Sequence, residues 1–164
     1  MKPAKPHVFD GDITAAYKMT KNDNEPVFVP VPVYADDRGW SIMNQLQGML
    51  SNSGQINFSV QYPGVIKAWH RHQKQTDFWI CLQGHIKVGI YDENQSIAWQ
   101  TVIGEKNPGV MIIPPPLWHG AATVGPAPAS LLYYVTHAYD PNHPDEERRS
   151  HESVRGFPWE VQHG

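Results

Sequence analysis

The sequence predicts an all-β fold, a jelly-roll barrel, and three observations carry the prediction. Short alternating apolar and polar segments recur along the chain, separated by turn residues. Proline (15) and glycine (13) are abundant among the 164 residues, proline well above its usual ~5% share. Helical periodicity is nearly absent, with room for a helical turn only at Gln45 to Leu50. Six Trp and seven Tyr suit many short strands joined by tight turns. Barrels of this kind are one solution to the problem of exposed sheet edges.

In chain order, residues 1 to about 26 carry little periodicity, and KNDNEP at Lys21 to Pro26 reads as a polar turn or arm. VFVPVPVY, Val27 to Tyr34, alternates but is interrupted by Pro30 and Pro32. Those prolines confine it to an edge strand or an extended arm. ADDRGW at Ala35 to Trp40 is a turn. Gln55 to Ala68, Phe78 to Leu82, His85 to Tyr91, Ser96 to Val102, Val110 to Ile113 and Leu131 to Tyr139 read as strands. The charged PDEERRSHES, Pro144 to Ser153, is expected on the surface or as a short helix. This divides the chain into an N-terminal extension and arm strand (1–34), a barrel (35–143) and a tail that packs on it (144–164). Repeats and low-complexity tracts are absent.

Composition limits the partners. The length fits one domain with a real core. A net charge of −3 gives no electrostatic case for nucleic acid. No basic-then-apolar leader opens the sequence, and no apolar run approaches ~18 residues, so no membrane association is expected. A lone cysteine, Cys81, rules out a disulfide framework and fits a reducing cytoplasm, with core packing as its expected role. Sheet edges and the proline-rich arm suit a homodimer.

The richest segment is GVIKAWHRHQKQTDFWICLQG, Gly64 to Gly84. His70 and His72, at i and i+2, share one face of a strand. A turn at Gln73 to Thr76 returns Asp77 beside them on the neighbouring antiparallel strand. Polar groups inside an apolar barrel need partners or a task. The bland alternative is one buried, hydrogen-bonded histidine and one at the rim. A second segment, GVMIIPPPLWHG (Gly109 to Gly120), ends a strand at a proline turn and presents His119, whose plain alternative is a cap on that turn. In LLYYVTHAYDP, alternation puts Tyr133, Val135, His137 and Tyr139 on one face, either a wet pocket wall or ordinary sheet aromatics.

The two histidine segments resemble the paired motifs of the cupin superfamily, with Asp77 where a glutamate is usual and Pro116 where a glycine is usual. A narrower resemblance covers most of the chain. QINFSVQYPGVIKAWH (Gln55 to His70), DRG (Asp37 to Gly39), IPPPLWHG, LLYYVTHAYDP and GFPW (Gly156 to Trp159) resemble, in order, segments of the dTDP-4-dehydrorhamnose 3,5-epimerases. The resemblance implies a cupin-fold homodimer whose N-terminal arm joins the partner's sheet, with no cofactor. It implies His70 as base, Tyr133 as acid and Tyr139 at the sugar. Arg38, Asn57, Lys67, His72, Gln75 and His119 then become substrate-binding candidates.

The implied chemistry is sound. A 4-keto group acidifies the C–H bonds at C3 and C5, and an imidazole is a suitable base at neutral pH. A tyrosine hydroxyl on the opposite face of the sugar completes an inversion, and the enolate needs electrostatic stabilisation.

The chain departs from that family at several points. Asp77 stands at the family's lysine and Lys67 at its arginine, which keeps charge but loses the bidentate fork. On an unbroken strand Lys67 faces away from His70. Ser41 and Met43 replace the residues that hold the nucleobase. The carboxylate that pairs with the base lies in a segment beyond Gly164, so Asp77 is expected to orient a histidine instead.

The H-x-H pattern also resembles the sugar 3,4-ketoisomerases of the same superfamily. Two other classes stay open. In one, His70, His72, Asp77 and His119 bind a divalent transition metal such as iron, manganese, nickel or zinc. In the other, the barrel binds a small ligand without turning it over.

Overall fold

The computed structural model describes residues 1–43 and 45–161. One α-helix, thirteen strands and a short 3-10 helix (His151–Ser153) make up the regular structure of the described residues: β1 (His7–Val8), α1 (Ile13–Asp23), β2 (Val27–Pro30), β3 (Tyr34–Asp36), β4 (Gly39–Ser41), β5 (Gln55–Gln61), β6 (Ile66–Arg71), β7 (Asp77–Gln83), β8 (His85–Asp92), β9 (Ile97–Gly104), β10 (Gly109–Ile113), β11 (Trp118–Val124), β12 (Ala129–Val135) and β13 (Glu147–Arg148). One sheet runs β1-β2-β10-β7-β12-β5, the other β13-β6-β11-β8-β9, and β3 and β4 form a separate hairpin. The two large sheets enclose a common interior, the jelly-roll arrangement the alternation predicts.

Strict alternation sorts the side chains into three layers. Between the sheets lie Phe28, Trp79, Val88, Trp99, Met111 and Leu131, with Cys81 buried among them. On the outer face of the first sheet, Phe78, Ile80, Val110, Ile112 and Tyr134 pack beneath Ile13 and Ala16 of α1. On the outer face of the second, Trp69, Trp118 and Ala122 pack beneath Val154, Phe157 and Trp159. Trp69, Phe157 and Trp159 form an aromatic trio with ring centroids 4.6–4.9 Å apart.

Three elements differ from expectation. The first is α1, in a region that reads as aperiodic. Its buried stripe is Ile13, Ala16 and Thr20, too small and too polar to register as amphipathic. Asp12 caps its N-terminus by accepting N–H from Thr14 and Ala15, and Asn24 closes it in the left-handed conformation. Secondly, the stretch from Gln55 to Ala68 is two strands. Tyr62–Val65 makes a turn between them, with Gly64 at φ +77°. Thirdly, β11 follows directly on the proline turn that presents His119. The proline-bearing β2 pairs antiparallel with β10 of its own chain.

Candidate functional site

β6 and β7 deliver the central residues from opposite sheets, joined by the short turn at Gln73–Thr76. The two strands and β11 bring His70, His72, Asp77 and His119 together, with one potential ligand atom from each lying within 4.8 Å of the others. His72, Asp77 and His119 are buried, and His70 is partly exposed to a cavity of about 1100 Å³. His119 lies behind His70, ring centroids 4.2 Å apart, rather than on the cavity wall.

Hydrogen bonds fix how these rings face. Nδ1 of His119 donates to the Leu117 carbonyl at 2.9 Å, and Nδ1 of His72 donates to the Asp145 carbonyl. A neutral imidazole so bound presents the Nε2 lone pair on its other side. Nε2 of His119 lies 3.6 Å from Asp77 Oδ2, and Nε2 of His72 lies 4.0 Å from Asp77 Oδ1. Both separations exceed hydrogen-bond length, and Nε2 of His119 is buried with no hydrogen-bond partner. The Asp77 oxygens accept instead from Gln75 Nε2 at 2.8 Å and Trp79 Nε1 at 3.0 Å.

The electrostatics follow from this enclosure. Burial, then the neighbouring His119, pushes the His70 imidazolium well below its usual pKa, and the Asp77 charge only partly restores it. Burial raises Asp77, yet the surrounding imidazoles, His119 foremost, outweigh it and hold the carboxyl at about 2. The Tyr133 hydroxyl is pushed up by burial and then by the Asp77 charge.

Lys67 does not face away from His70. β6 carries a bulge against β11: His70 pairs with His119, but Lys67 pairs with Ala121, so two residues of β6 oppose Gly120. Ala68 and Trp69 both turn outward into the aromatic layer, and Lys67 returns to the wall of the same cavity as His70. Gly120 permits this, because a Cβ there would lie 2.3 Å from the Ala68 Cβ.

The remaining predicted residues divide by position. Asn57, Gln75 and Tyr133 line the cavity, and Tyr139 stands exposed at its mouth. β12 ends at Val135, so His137 and Tyr139 lie beyond the strand. Arg38 is exposed in the β3–β4 hairpin, paired with Asp36 and outside the cavity wall. Ser41 closes that hairpin in β4, and Met43 beyond it is exposed. The charged segment expected on the surface or as a short helix ends in the short 3-10 helix, and it also contributes Asp145, Glu146 and Arg148 to the cavity rim. Its sequence carries no periodicity that would have disclosed this.

Comparison with known proteins agrees with this geometry. Residues 34–147 match the polysaccharide biosynthesis C-terminal domain family. The spore coat polysaccharide biosynthesis protein SpsL of Bacillus subtilis is 36% identical over 137 residues, covering 79% of this chain and 91% of SpsL. The probable low-salt glycan biosynthesis epimerase Agl13 of Haloferax volcanii is 45% identical over 97 residues, which is 56% of this chain and 62% of Agl13. A dTDP sugar isomerase from Desulfovibrio desulfuricans superposes with a TM-score of 0.72 at 24% identity, over 82% of this chain and 90% of that one. The chain therefore belongs to the polysaccharide biosynthesis C-terminal domain family, and it shares its fold with solved dTDP-sugar isomerases and dTDP-4-dehydrorhamnose 3,5-epimerases.

Proposed function

We propose that this chain is a sugar-nucleotide epimerase, acting by proton abstraction next to the ketone of a 4-keto-6-deoxy sugar nucleotide. The observation that carries the reading is that His70 and Tyr133 line one cavity from opposite sheets. A proton removed from one face of a sugar held between them is replaced from the other, which inverts the carbon. His70, kept neutral by burial, is ready to accept a proton at pH 7. Lys67, turned inward by the bulge, supplies the positive charge that an enolate needs and that Asp77 cannot. Asp77, hydrogen-bonded by Gln75 and Trp79, acts on His70 through its charge, which favours the imidazole taking up a proton. Agl13, by name a probable epimerase, is a relative of this activity class. The test is solvent-deuterium incorporation into thymidine-, cytidine-, uridine- and guanosine-linked 4-keto-6-deoxy sugars, read by mass spectrometry. Incorporation into at least one is expected, and none across the panel removes the reading.

A second reading is favoured by the buried, unpartnered Nε2 of His119. His72 and His119, each tied back through Nδ1 to a carbonyl, aim Nε2 at the Asp77 oxygens, which are themselves hydrogen-bonded. Metal-binding histidines are oriented in this way. Three imidazoles and a carboxylate fit a divalent ion such as zinc, iron, manganese or nickel. Bound there, the ion would stabilise an enolate oxygen as a Lewis acid. Elemental analysis of untagged protein should then find about one metal per chain, lowered by Asp77→Ala.

The same proposal includes a cytoplasmic homodimer. β5 is the last strand of its sheet, and its outward side chains Ile56, Phe58 and Val60, with Tyr62 beyond, are 45–69% exposed. An apolar row on an open edge pairs readily with its own copy about a twofold axis. The free thiol of Cys81 suits a reducing compartment.

A further inference from the structure

The chain after β12 returns along the open side of the cavity, and β13 pairs with β6 so that Arg148 lies opposite His70 and Glu147 opposite Arg71. Asp145, two residues earlier, makes a dense set of contacts. Its carboxylate accepts the backbone N–H of Gln73 at 2.9 Å, Lys74 at 3.0 Å and Gln75 at 3.2 Å, three consecutive amides of the β6–β7 turn. Its own carbonyl accepts Nδ1–H of His72. The turn it grips carries His72 at one end and, at the other, Gln75, whose amide donates to Asp77.

We propose that Asp145 is a positioning residue, which locks the β6–β7 turn and fixes His72 as the Nδ1–H tautomer with Nε2 turned toward Asp77. A neutral histidine has two tautomers, and the partner of one nitrogen decides which is present. No described residue besides Asp145 hydrogen-bonds the His72 ring. Three amides anchor the carboxylate to the turn beside His72, which holds the carbonyl of the same residue against the ring, while Glu147 and β13 fasten the strap further along. His119 has an independent anchor in the Leu117 carbonyl, so its tautomer does not depend on Asp145.

The catalytic consequence rests on the epimerase reading, but the positioning role does not, and the experiment separates them. Long-range nitrogen–proton NMR reports ring tautomers directly, with His72 assigned by the signals missing in His72→Gln. Wild-type protein should show His72 protonated at Nδ1 and bare at Nε2. Asp145→Ala should shift His72 toward a tautomer mixture while the His119 signals stay fixed. Asp145→Asn, which keeps one acceptor oxygen, should fall between the two and covers the case in which the alanine variant fails to fold. A wild-type His72 protonated at Nε2, or unchanged His72 signals in both folded variants, would overturn the proposal. Where the wild type exchanges solvent deuterium, Asp145→Ala should lower kcat by about 10–100-fold, as loss of an orienting partner does, with KM nearly unchanged. A wild type that exchanges nothing defeats the epimerase reading and leaves the tautomer result standing.

Discussion

At the residue scale, the acid–base reading assigns separate tasks that separate substitutions expose. His70→Ala should abolish deuterium exchange, because it removes the imidazole that lines the cavity as the base of this reading. Tyr133→Phe should leave exchange intact and block inversion, since abstraction and return then use the same face. The pH dependence follows from the lowered His70 pKa. In metal-free protein the folded state resists protonating His70, whereas the unfolded chain takes the proton near ~6.5. The stability that neutral His70 contributes is therefore complete above that pH and declines as pH falls below it. kcat/KM should likewise be flat from about pH 7 to 8 and fall only below ~6.5. An acid limb centred above 7 would contradict the burial of His70. Three of the four cluster residues were legible as an i, i+2 pair with a returning carboxylate, and His119 through its proline turn. Lys67 was misassigned because a bulge changes side-chain parity without leaving a mark in the alternation.

At the scale of elements, strands were legible where bulky apolar residues stood out against the turn residues around them, as in β7, β8, β10 and β12. The reading failed where that contrast was weak. Thr20 and Ala16 hide the buried face of α1, and β11, rich in alanine and glycine, lacks the bulky alternation of its neighbours. A tail packed on the barrel was expected over 144–164, but not the buried residues of this C-terminal clasp one by one, because Val154, Phe157 and Trp159 bury themselves without any regular period. Its contribution is measurable. Phe157→Ala removes the ring that packs edge-on against Trp69 at 4.8 Å. We expect a loss of about 3–5 kcal/mol, and a fall in Tm of roughly 6–20 °C for a chain of this size. A change below about 1 kcal/mol would mean that the clasp is not part of the cooperative unit.

At the scale of the whole molecule, the exposed row on β5 predicts the assembly. Light scattering at micromolar concentration should give twice the chain mass of 18.5 kDa, and Phe58→Asp should return the protein to a monomer by placing like charges across the twofold. A monomeric wild type would refute the dimer. Odd-numbered residues of the same strand, Gln55, Asn57 and Ser59, line the cavity, so disruption of the dimer should also weaken substrate binding. The strap around Asp145 has a consequence for how the protein is made. It closes on β6 across 76 residues of sequence, Glu147 to Arg71, and contacts this distant form late in folding. A chain emerging from the ribosome exposes His70, His72, Asp77 and His119 well before Asp145 follows. A nascent barrel can therefore hold all four side chains with His72 still free to turn, and competence arrives only when the segment around Asp145 is laid down.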